Sequence, residues 1–354
     1  MKRIVSQKLF NIVDQFETEG KLITIQPYGE GHINHTFLVA TDKKRYILQK
    51  INEYVFPDVD GLMRNICGVT EHLKNKNIET LSMVRAKNGK YYVREGEPYR
   101  LYVFNENTVT IQSIPNARVF KNIGYAFGAF QNQLADYDAT TLIEVIPDFH
   151  NTPKRFEKFE KSLKADAVGR AKFCKNEIKF ILDRKDTLSK VTDGIKDGSI
   201  PLRVTHNDTK INNILVDAHT GDARAVIDLD TIMPGSLLYD FGDSIRSGAA
   251  TAAEDEMDLT KVGIDLKLFK AYAEGFYDAV KENITAREKE LLPYSVYLMT
   301  FEVGIRFLTD YLDGDKYFSI DYEEHNLVRA RNQIQMVSEI EKNFDKMTEI
   351  IESL

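Results

Sequence analysis

The feature that most constrains the fold of this chain is a change in its hydrophobic periodicity near residue 104. Before that point, short β-rich runs alternate with turn signals such as Asn88-Gly89, a pattern typical of antiparallel strands joined by hairpins. After it, apolar residues recur every three or four positions, which is typical of amphipathic helices. The sequence therefore predicts an α+β protein with a small antiparallel sheet followed by a mainly helical region.

The same patterns predict individual elements and a boundary between two lobes. The β-rich runs predict strands at 36–40, 45–51, 83–85, 91–94 and 100–104, with one helix at 60–75 packed on their sheet. The second part predicts a β-rich island at 203–229 and helices at 119–134, 156–163, 171–188, 266–280, 287–311 and 325–351. We place the lobes at 1–104 and 105–354, with a short polar hinge at 103–107.

Composition excludes several classes of protein. The 354 residues carry 47 Lys and Arg against 54 Asp and Glu, which argues against nucleic acid or an anionic membrane as the main partner. No apolar run approaches the roughly 20 residues that cross a bilayer, and no signal-peptide pattern opens the chain. Cys67 and Cys174 lie far apart without metal-binding spacing, so buried free thiols are expected. We therefore expect a soluble cytoplasmic protein that binds neither nucleic acid nor membrane.

The residues that point to chemistry lie in the β-rich island. His206-Asn207-Asp208 opens a polar loop, Asn213 follows within that loop, and Asp228 ends the next strand-like run. Phosphoryl transfer needs a carboxylate that accepts the proton of the attacking hydroxyl, and oxygen ligands for Mg²⁺. The order matches the kinase template H-x-D-x-x-x-x-N followed by a metal-binding Asp. Asp208 is therefore predicted to be the catalytic base, with Asn213 and Asp228 as Mg²⁺ ligands. The alternative for any one element alone is a capped turn or a structural strand-end carboxylate.

A second motif in this region resembles a metal site but lies at the wrong distance. Asp240-Phe241-Gly242 spells the metal motif of protein kinases. It lies too far after Asp208 for a tight hairpin to bring both carboxylates to one ion, whereas Asp228 lies at the expected end of that hairpin. We therefore predict a structural or helix-capping role for Asp240.

In the first part, a segment with two glycines is a candidate for phosphate binding. Gly29 and Gly31 would let a tight loop approach nucleotide phosphates, with backbone N–H groups and the side chains of Asn34, His35 or Thr36 as donors. The alternative is an ordinary hairpin, because G-x-G also makes such turns and the histidines can be plain loop residues.

The strand at 46–51 should supply the residue that kinases place on the α- and β-phosphates. Gln49 and Lys50 are the candidates, and only one can face the site because neighbouring strand residues point to opposite sides. Glu71 on the intervening helix is a possible ion-pair partner or a solvated helix residue. The backbone near Phe104, in the predicted hinge, is expected to meet the adenine.

With these residues in place, the sequence resembles the aminoglycoside phosphotransferase and choline kinase superfamily, through His206 to Asn213 and Ile227-Asp228-Leu229-Asp230. The similarity is closer still to the N-acetylhexosamine 1-kinases, through 27–34, 202–210 and 228–235, and it spans about 27–334. The resemblance implies a bilobal protein-kinase-like fold with ATP bound between the lobes. It also implies Mg²⁺-dependent phosphorylation of the anomeric hydroxyl of N-acetylglucosamine or N-acetylgalactosamine.

The acceptor site is predicted on the helix at 287–311 and the loop that follows it. Arg306 lies on an otherwise apolar helix face and Tyr317 follows in the loop. Spacing alone also allows a buried ion pair of Arg306 with Glu302, Asp310 or a C-terminal-helix carboxylate. The resemblance favours Arg306 and Tyr317 as sugar ligands beside Asp208. Two other functions stay open: a kinase of the same fold for homoserine, choline or an aminoglycoside, and a silent nucleotide-binding module.

Overall fold

The computed structural model describes residues 7–29 and 34–354, and the chain divides into two compact units. The sheet unit contains Met1–Val109, Thr141–Pro147 and Leu215–Ile232. The helical unit contains Thr110–Thr140, Asp148–Ile214 and Met233–Leu354. The mixed α+β architecture predicted from the sequence is confirmed, with an antiparallel sheet in the N-terminal region and helices in the C-terminal region.

The sheet unit is built on a five-stranded antiparallel sheet with the order β1-β2-β3-β5-β4. Its strands are β1 (Leu22–Pro27), β2 (His35–Thr41), β3 (Arg45–Lys50), β4 (Val93–Glu95) and β5 (Glu97–Val103). The predicted strands at 36–40, 45–51 and 100–104 are confirmed, whereas 83–85 contributes only a bridge at Met83. The β1 to β2 turn places Gly29 at φ +71°, the left-handed region that glycine enters at no steric cost.

Two helices lie in the sheet unit. In α1 (Gln7–Val13), Ile12 and Val13 join the core of the sheet, and in α2 (Val59–Asn75), Asp58 caps the N-terminus by accepting from the Gly61 N–H. The predicted helix at 60–75 is confirmed, because its apolar residues at helical spacing are buried. A second small sheet has the order β6-β8-β9, from β6 (Thr108–Thr110), β8 (Ile214–Asp217) and β9 (Ala223–Val226).

The helical unit contains eight described α-helices: α3 (Ala117–Gln133), α4 (Thr152–Ala165), α5 (Lys175–Leu182), α6 (Lys190–Asp197), α7 (Leu237–Gly248), α8 (Leu266–Val280), α9 (Ala286–Asp313) and α10 (His325–Glu352). A two-stranded ladder pairs β7 (Arg203–Thr205) with β10 (Met233–Gly235). The single helix predicted at 171–188 is wrong. Cys174 leaves the helical backbone region at φ −133° and ψ 37°, so only α5 forms, between two 3₁₀ turns.

Helix α9 is the central element of the helical unit. Most of its residues are buried, including Glu302, which is 0 % exposed. A buried carboxylate is costly unless it is paired and hydrogen-bonded, so the partners of Glu302 are informative about this part of the fold.

No helix in the described part of the chain is long and apolar enough to span a membrane. Both cysteines are free thiols as predicted, although only Cys174 is fully buried.

Candidate active site

The loop that carries Asp208 runs from the end of β7 to a 3₁₀ turn at Ile211–Asn213. Asn207 adopts φ +65°, a left-handed conformation in which non-glycine residues are uncommon and Asn is enriched. Its side-chain Nδ2 donates to the carbonyl of Thr205 at 3.1 Å. The backbone therefore turns sharply just before Asp208.

Asp240 holds this turn from the first turn of α7. Its carboxylate accepts from the backbone N–H of His206 at 3.0 Å, from that of Asn207 at 2.7 Å and from Nε2 of Gln131 at 2.5 Å. Burial raises the pKa of Asp240, and these donors act in the opposite direction. The predicted structural role is confirmed, but Asp240 is not the helix cap, because Ser236 is the N-cap of α7.

The two residues after Asp240 also serve the packing of the helical unit. Phe241 is fully buried among the rings of Phe269, Tyr272 and Phe276. A Cβ atom at Gly242 would lie 2.3 Å from the carbonyl oxygen of Ser295 in α9, so only glycine allows this close approach. All three residues of the Asp-Phe-Gly sequence thus have architectural roles.

Within the helical unit, the structure brings Asp208 and Asn213 together. Nδ2 of Asn213 donates to the backbone carbonyl of Asp208 at 2.7 Å and approaches its Oδ2 at 3.3 Å. Lys210, which sequence reasoning passed over, places Nζ 2.9 Å from Oδ1 of Asp208. The negative charge of Asp208 is the main cause that raises the pKa of Lys210. The predicted base therefore lies half-buried beside a permanent positive charge and an amide.

Arg306 and Tyr317 also come together in the helical unit. The Arg306 guanidinium lies over three aromatic rings, at 5.3 Å from Phe149, 5.9 Å from Tyr317 and 5.6 Å from Phe318. Cations are attracted to the faces of such rings. The loop that carries Tyr317 is fixed by Asp310, which accepts its backbone N–H at 2.8 Å. Tyr317 itself is 51 % exposed.

The ion pair proposed as an alternative for Arg306 is wrong for the described part of the chain. Glu302 instead bonds Nδ1 of His150 at 2.8 Å and Oγ1 of Thr152 at 2.6 Å. Asp310, in the last turn of α9, accepts from three backbone N–H groups of the loop that follows the helix. No described carboxylate lies within ion-pair distance of Arg306, and its guanidinium faces three aromatic rings instead.

In the sheet unit, Asp228 follows β9 and opens a 3₁₀ turn at Leu229–Thr231. Its backbone lies in the left-handed region at φ +59° and its side chain is exposed. The segment is tied to α2 by Asn65, whose Nδ2 donates to the carbonyl of Ile232 at 2.9 Å. The strand, the turn and this bond together fix the position of Asp228 within the sheet unit.

A buried polar chain runs from the same turn across the sheet. Asp230 forms an ion pair with Arg100 at 2.5 Å, and Arg100 donates to Oε1 of Gln49 at 2.7 Å. Gln49 in turn donates to Oγ1 of Thr36 at 3.1 Å. Burial favours the neutral form of Arg100, but the charge of Asp230 outweighs it and the pKa of Arg100 is raised. The second Oδ of Asp230 accepts from Asn34 at 2.6 Å.

Gln49 belongs to this series of polar contacts and Lys50 does not. Lys50 forms an ion pair with Glu97 at 2.8 Å, while Gln49 lies beside Arg100. Glu71 is exposed on α2, so the ion pair considered for it with the strand residue is not formed. Arg100 is the buried cation in this part of the sheet unit. Sequence reasoning missed it because nothing in the sequence pairs position 100 with position 230.

The other predicted nucleotide ligands lie in turns and at strand ends of the sheet unit. Gly29 has open space where a Cβ would be, His35 is exposed at the start of β2, and Gly31 lies outside the described residues. Phe104 donates its N–H to the carbonyl of Arg45 at 3.0 Å and stacks against the Arg45 guanidinium at 4.2 Å.

The donor chemistry of the predicted metal ligands can be compared with what Mg²⁺ requires. No three His, Cys, Asp or Glu side chains gather as a cage in the described part of the chain. Mg²⁺ bound with a nucleotide needs only one or two protein carboxylates, with phosphate and water oxygens completing its shell. The exposed carboxylate of Asp228 is a ligand of this type, and the amide oxygen of Asn213 is also an oxygen donor that Mg²⁺ accepts. That the two hold one ion stays a prediction.

The chain matches a known protein family over most of its length. A family model described as APH, phosphotransferase enzyme family, matches residues 24–272, which includes Asp208, Asn213 and Asp228. Among solved structures, a spectinomycin phosphotransferase in complex with ADP and spectinomycin is 14% identical, with a TM-score of 0.55, over 98% of this chain and 100% of that one.

Two further structures give the same result. An aminoglycoside phosphotransferase from Alicyclobacillus acidocaldarius is 11% identical with a TM-score of 0.58, over 98% of this chain and 96% of the other. An ethanolamine kinase from Plasmodium vivax is 17% identical with a TM-score of 0.55, over 88% of this chain and 82% of the other. At such identities the likeness shows a shared protein-kinase-like fold.

Proposed function

The chain belongs to the phosphotransferase enzyme family, and we propose that it transfers the γ-phosphoryl group of ATP to the anomeric hydroxyl of an N-acetylhexosamine. The products would be the sugar 1-phosphate and ADP. Family membership supports ATP-dependent phosphotransfer to a small molecule. The sugar as acceptor is the part that the proposal adds.

The observation that carries the choice of acceptor is the surroundings of Arg306. Its guanidinium is caged by aromatic rings and has no described ion-pair partner, and the exposed phenol of Tyr317 lies beside it. Hydrogen-bond donors and aromatic faces suit a neutral polyhydroxylated ring. A cationic acceptor, such as choline, ethanolamine or an aminoglycoside, would meet a like charge that repels it.

Homoserine is the second candidate that this observation allows. Its carboxylate would pair with the planar fork of Arg306, a geometry in which guanidinium groups bind carboxylates well. The similarity to N-acetylhexosamine 1-kinases in 27–34, 202–210 and 228–235 favours the sugar. The two acceptors differ in charge, so a direct comparison separates them.

In the proposed reaction Asp208 orients the acceptor hydroxyl and accepts its proton. Asn213 positions this carboxylate through its Nδ2, and its Oδ1 and the carboxylate of Asp228 would hold Mg²⁺. When bound, the ion neutralises charge on the transferring phosphoryl group. Lys210 offsets the charge of Asp208 at 2.9 Å. The residues thus contribute by positioning and electrostatic stabilisation, the main sources of catalysis in phosphoryl transfer.

The sheet unit is proposed to bind the nucleotide. Gly29, Gly31 and Thr36 would approach the phosphates, with His35 and Asn34 nearby, and the backbone at Phe104 would meet the adenine. Of the two β3 candidates we favour Gln49, because it is connected to Arg100 and Asp230 while Lys50 is engaged by Glu97. Residues 1–104 would form most of this lobe, and residues 105–354 would carry the acceptor site.

The test is acceptor-dependent ADP release from Mg·ATP with N-acetylglucosamine, N-acetylgalactosamine, homoserine, choline and kanamycin. The proposal expects turnover with the N-acetylhexosamines above the blank set by Asp208→Asn, and an Arg306→Met variant with a raised KM for sugar and an unchanged KM for ATP. Arg329→Met, which removes a half-buried arginine over the ring of Phe307, is the matched control. Preferential turnover of homoserine or choline would overturn the choice of acceptor, and nucleotide binding without turnover of any acceptor would favour a silent module.

A further inference from the structure

His150 lies buried between the catalytic loop and α9, and the reaction outlined above does not use it. Its side chain is 5 % exposed, although the residue belongs to a loop that precedes α4. Nδ1 lies 2.8 Å from Oε1 of Glu302, and Nε2 lies 3.2 Å from the backbone carbonyl oxygen of Asn207. The imidazole thus bridges the middle of α9 and the residue that precedes Asp208.

Both neighbours of the ring are hydrogen-bond acceptors. A backbone carbonyl can only accept. Burial raises the pKa of Glu302, but the interactions with His150, Arg306 and Thr152 outweigh burial, so its pKa lies below its usual range. The geometry therefore makes Nε2 the donor to the Asn207 carbonyl and places Nδ1 against the Glu302 carboxylate.

The backbone at Asn207, which His150 contacts, has an uncommon conformation that other groups must stabilise. Asn207 adopts φ +65°, and its N–H is already held by Asp240 at 2.7 Å. The bond from His150 holds the carbonyl of the same residue. Both polar groups of the Asn207 backbone are thus fixed by buried side chains on two different elements, and Asp208 follows directly.

We propose that His150 is a positioning residue, which ties the catalytic loop to α9 through the Asn207 carbonyl and Glu302. Helix α9 also carries Arg306, one turn beyond Glu302. The bridge therefore holds the base and the acceptor ligand on one common support within the helical unit. The inference rests on the proposed roles of Asp208 and Arg306, but not on the identity of the acceptor.

Loss of the bridge should act on the chemical step. Misplacement of a reacting group by about 1 Å can cost on the order of 10²-fold in rate, so a His150→Phe enzyme should lose about 10- to 100-fold in kcat. The KM for ATP should stay within a factor of about two, because no predicted nucleotide ligand contacts His150. His150→Gln, which retains a donor that can reach the Asn207 carbonyl, should recover part of the loss.

A matched control and a second variant separate positioning from folding. Thr152→Val removes the other bond to Glu302, at 2.6 Å, without touching the loop, and should leave kcat within about threefold of wild type. His150→Phe leaves the buried Glu302 carboxylate without its histidine partner, so His150→Phe/Glu302→Leu is also made, which removes both members of the pair. The double variant should fold and still show the low kcat.

The kinetics use whichever acceptor the wild-type enzyme turns over, so failure with sugars and failure of the bridge are distinct results. A readout independent of any acceptor is the ¹⁵N spectrum of histidine-labelled protein, with His150 assigned by its loss in His150→Phe. Nε2 should carry the proton that it donates to the Asn207 carbonyl, in wild type and in Thr152→Val. An unprotonated Nε2, or a double variant with wild-type kcat, would overturn the proposal.

Discussion

Asp208 and Asp228 are exposed to different degrees and are proposed to do different work, so substitutions should separate them. Asp208→Asn should reduce phosphoryl transfer by at least the 10²- to 10⁴-fold attributed to general-base catalysis and leave Mg·ATP binding nearly intact. Asp228→Ala should weaken the Mg²⁺-dependent part of ATP binding. Calorimetric titration of each variant with ATP, with and without Mg²⁺, measures the difference. An Asp208→Asn enzyme within a few-fold of wild type would refute the assignment.

Asp240 should respond differently from Asp228, because its oxygens are occupied by N–H donors from His206, Asn207 and Gln131. Asp240→Asn replaces an acceptor oxygen with a donor beside these groups, so it should lower the free energy of unfolding. The Mg²⁺ concentration for half-maximal activity should change much less than in Asp228→Asn. Equal increases in both variants would show that Asp240 is the metal ligand.

Among individual residues, those whose role could be predicted belong to a short sequence motif. Asp208, Asn213 and Asp228 follow a known spacing, and Asp240 was assigned a structural role because its own spacing failed. Arg100, Asp230 and His150 acquire their roles from partners far away in the chain, as with His150 and Glu302, and a single sequence carries no sign of such pairs. The lack of an ion pair between Arg306 and any described residue likewise depends on the packing of distant residues, which spacing along the chain does not show.

Among the elements of the sheet unit, the pair Arg100–Asp230 links β5 to the turn that follows Asp228. Removing one partner of a buried pair leaves an uncompensated charge and costs about 3–5 kcal/mol. Arg100→Met should therefore destabilise the protein by this amount, and Arg100→Met/Asp230→Asn should recover much of the loss. Urea denaturation of Arg100→Met, Asp230→Asn and the double variant measures the coupling free energy between the two residues. Strictly additive losses would mean that the pair does not interact energetically.

Helices α3 and α8 approach each other at backbone distance because of their glycines. A Cβ at Gly128 would lie 2.6 Å from the carbonyl oxygen of Phe276, and a Cβ at Gly275 would lie 2.0 Å from that of Lys121. Forcing such contacts apart typically costs about 1–3 kcal/mol, so Gly128→Ala should lower the free energy of unfolding. Gly263→Ala is the control, since its nearest contact would be 3.5 Å. Equal stability of the two variants would contradict this packing.

Elements with long, regular periodicity were predicted well, and short ones were not. The predicted helix at 266–280 coincides with α8, because its apolar face repeats over four turns. Helices α1, α6 and α7 escaped prediction, since 7 to 12 residues are too few for a period to stand out. The prediction of one helix at 171–188 was wrong, because the helical spacing of apolar residues there extends over positions such as Cys174 whose backbone is not helical.

For the whole molecule, periodicity along the chain could indicate two parts but not which distant segments join each of them. The sheet unit takes up Thr141–Pro147 and Leu215–Ile232, and Asn65 of α2 bonds to both segments, at Ile143 and Ile232. A single boundary in the sequence cannot describe units that are each built from separate segments of the chain. The assignment of nucleotide binding to residues 1–104 and acceptor binding to the rest stays a prediction.

The most direct test of the proposed function is the position of the transferred phosphate. Purified protein is incubated with Mg·ATP and either N-acetylglucosamine or N-acetylgalactosamine, and the products are followed by ³¹P NMR with Asp208→Asn as the blank. The account predicts ADP and an equal amount of a phosphate monoester whose phosphorus couples to the anomeric proton. Phosphate on the 6-hydroxyl, or no sugar phosphate in a preparation that phosphorylates homoserine or choline, would contradict it.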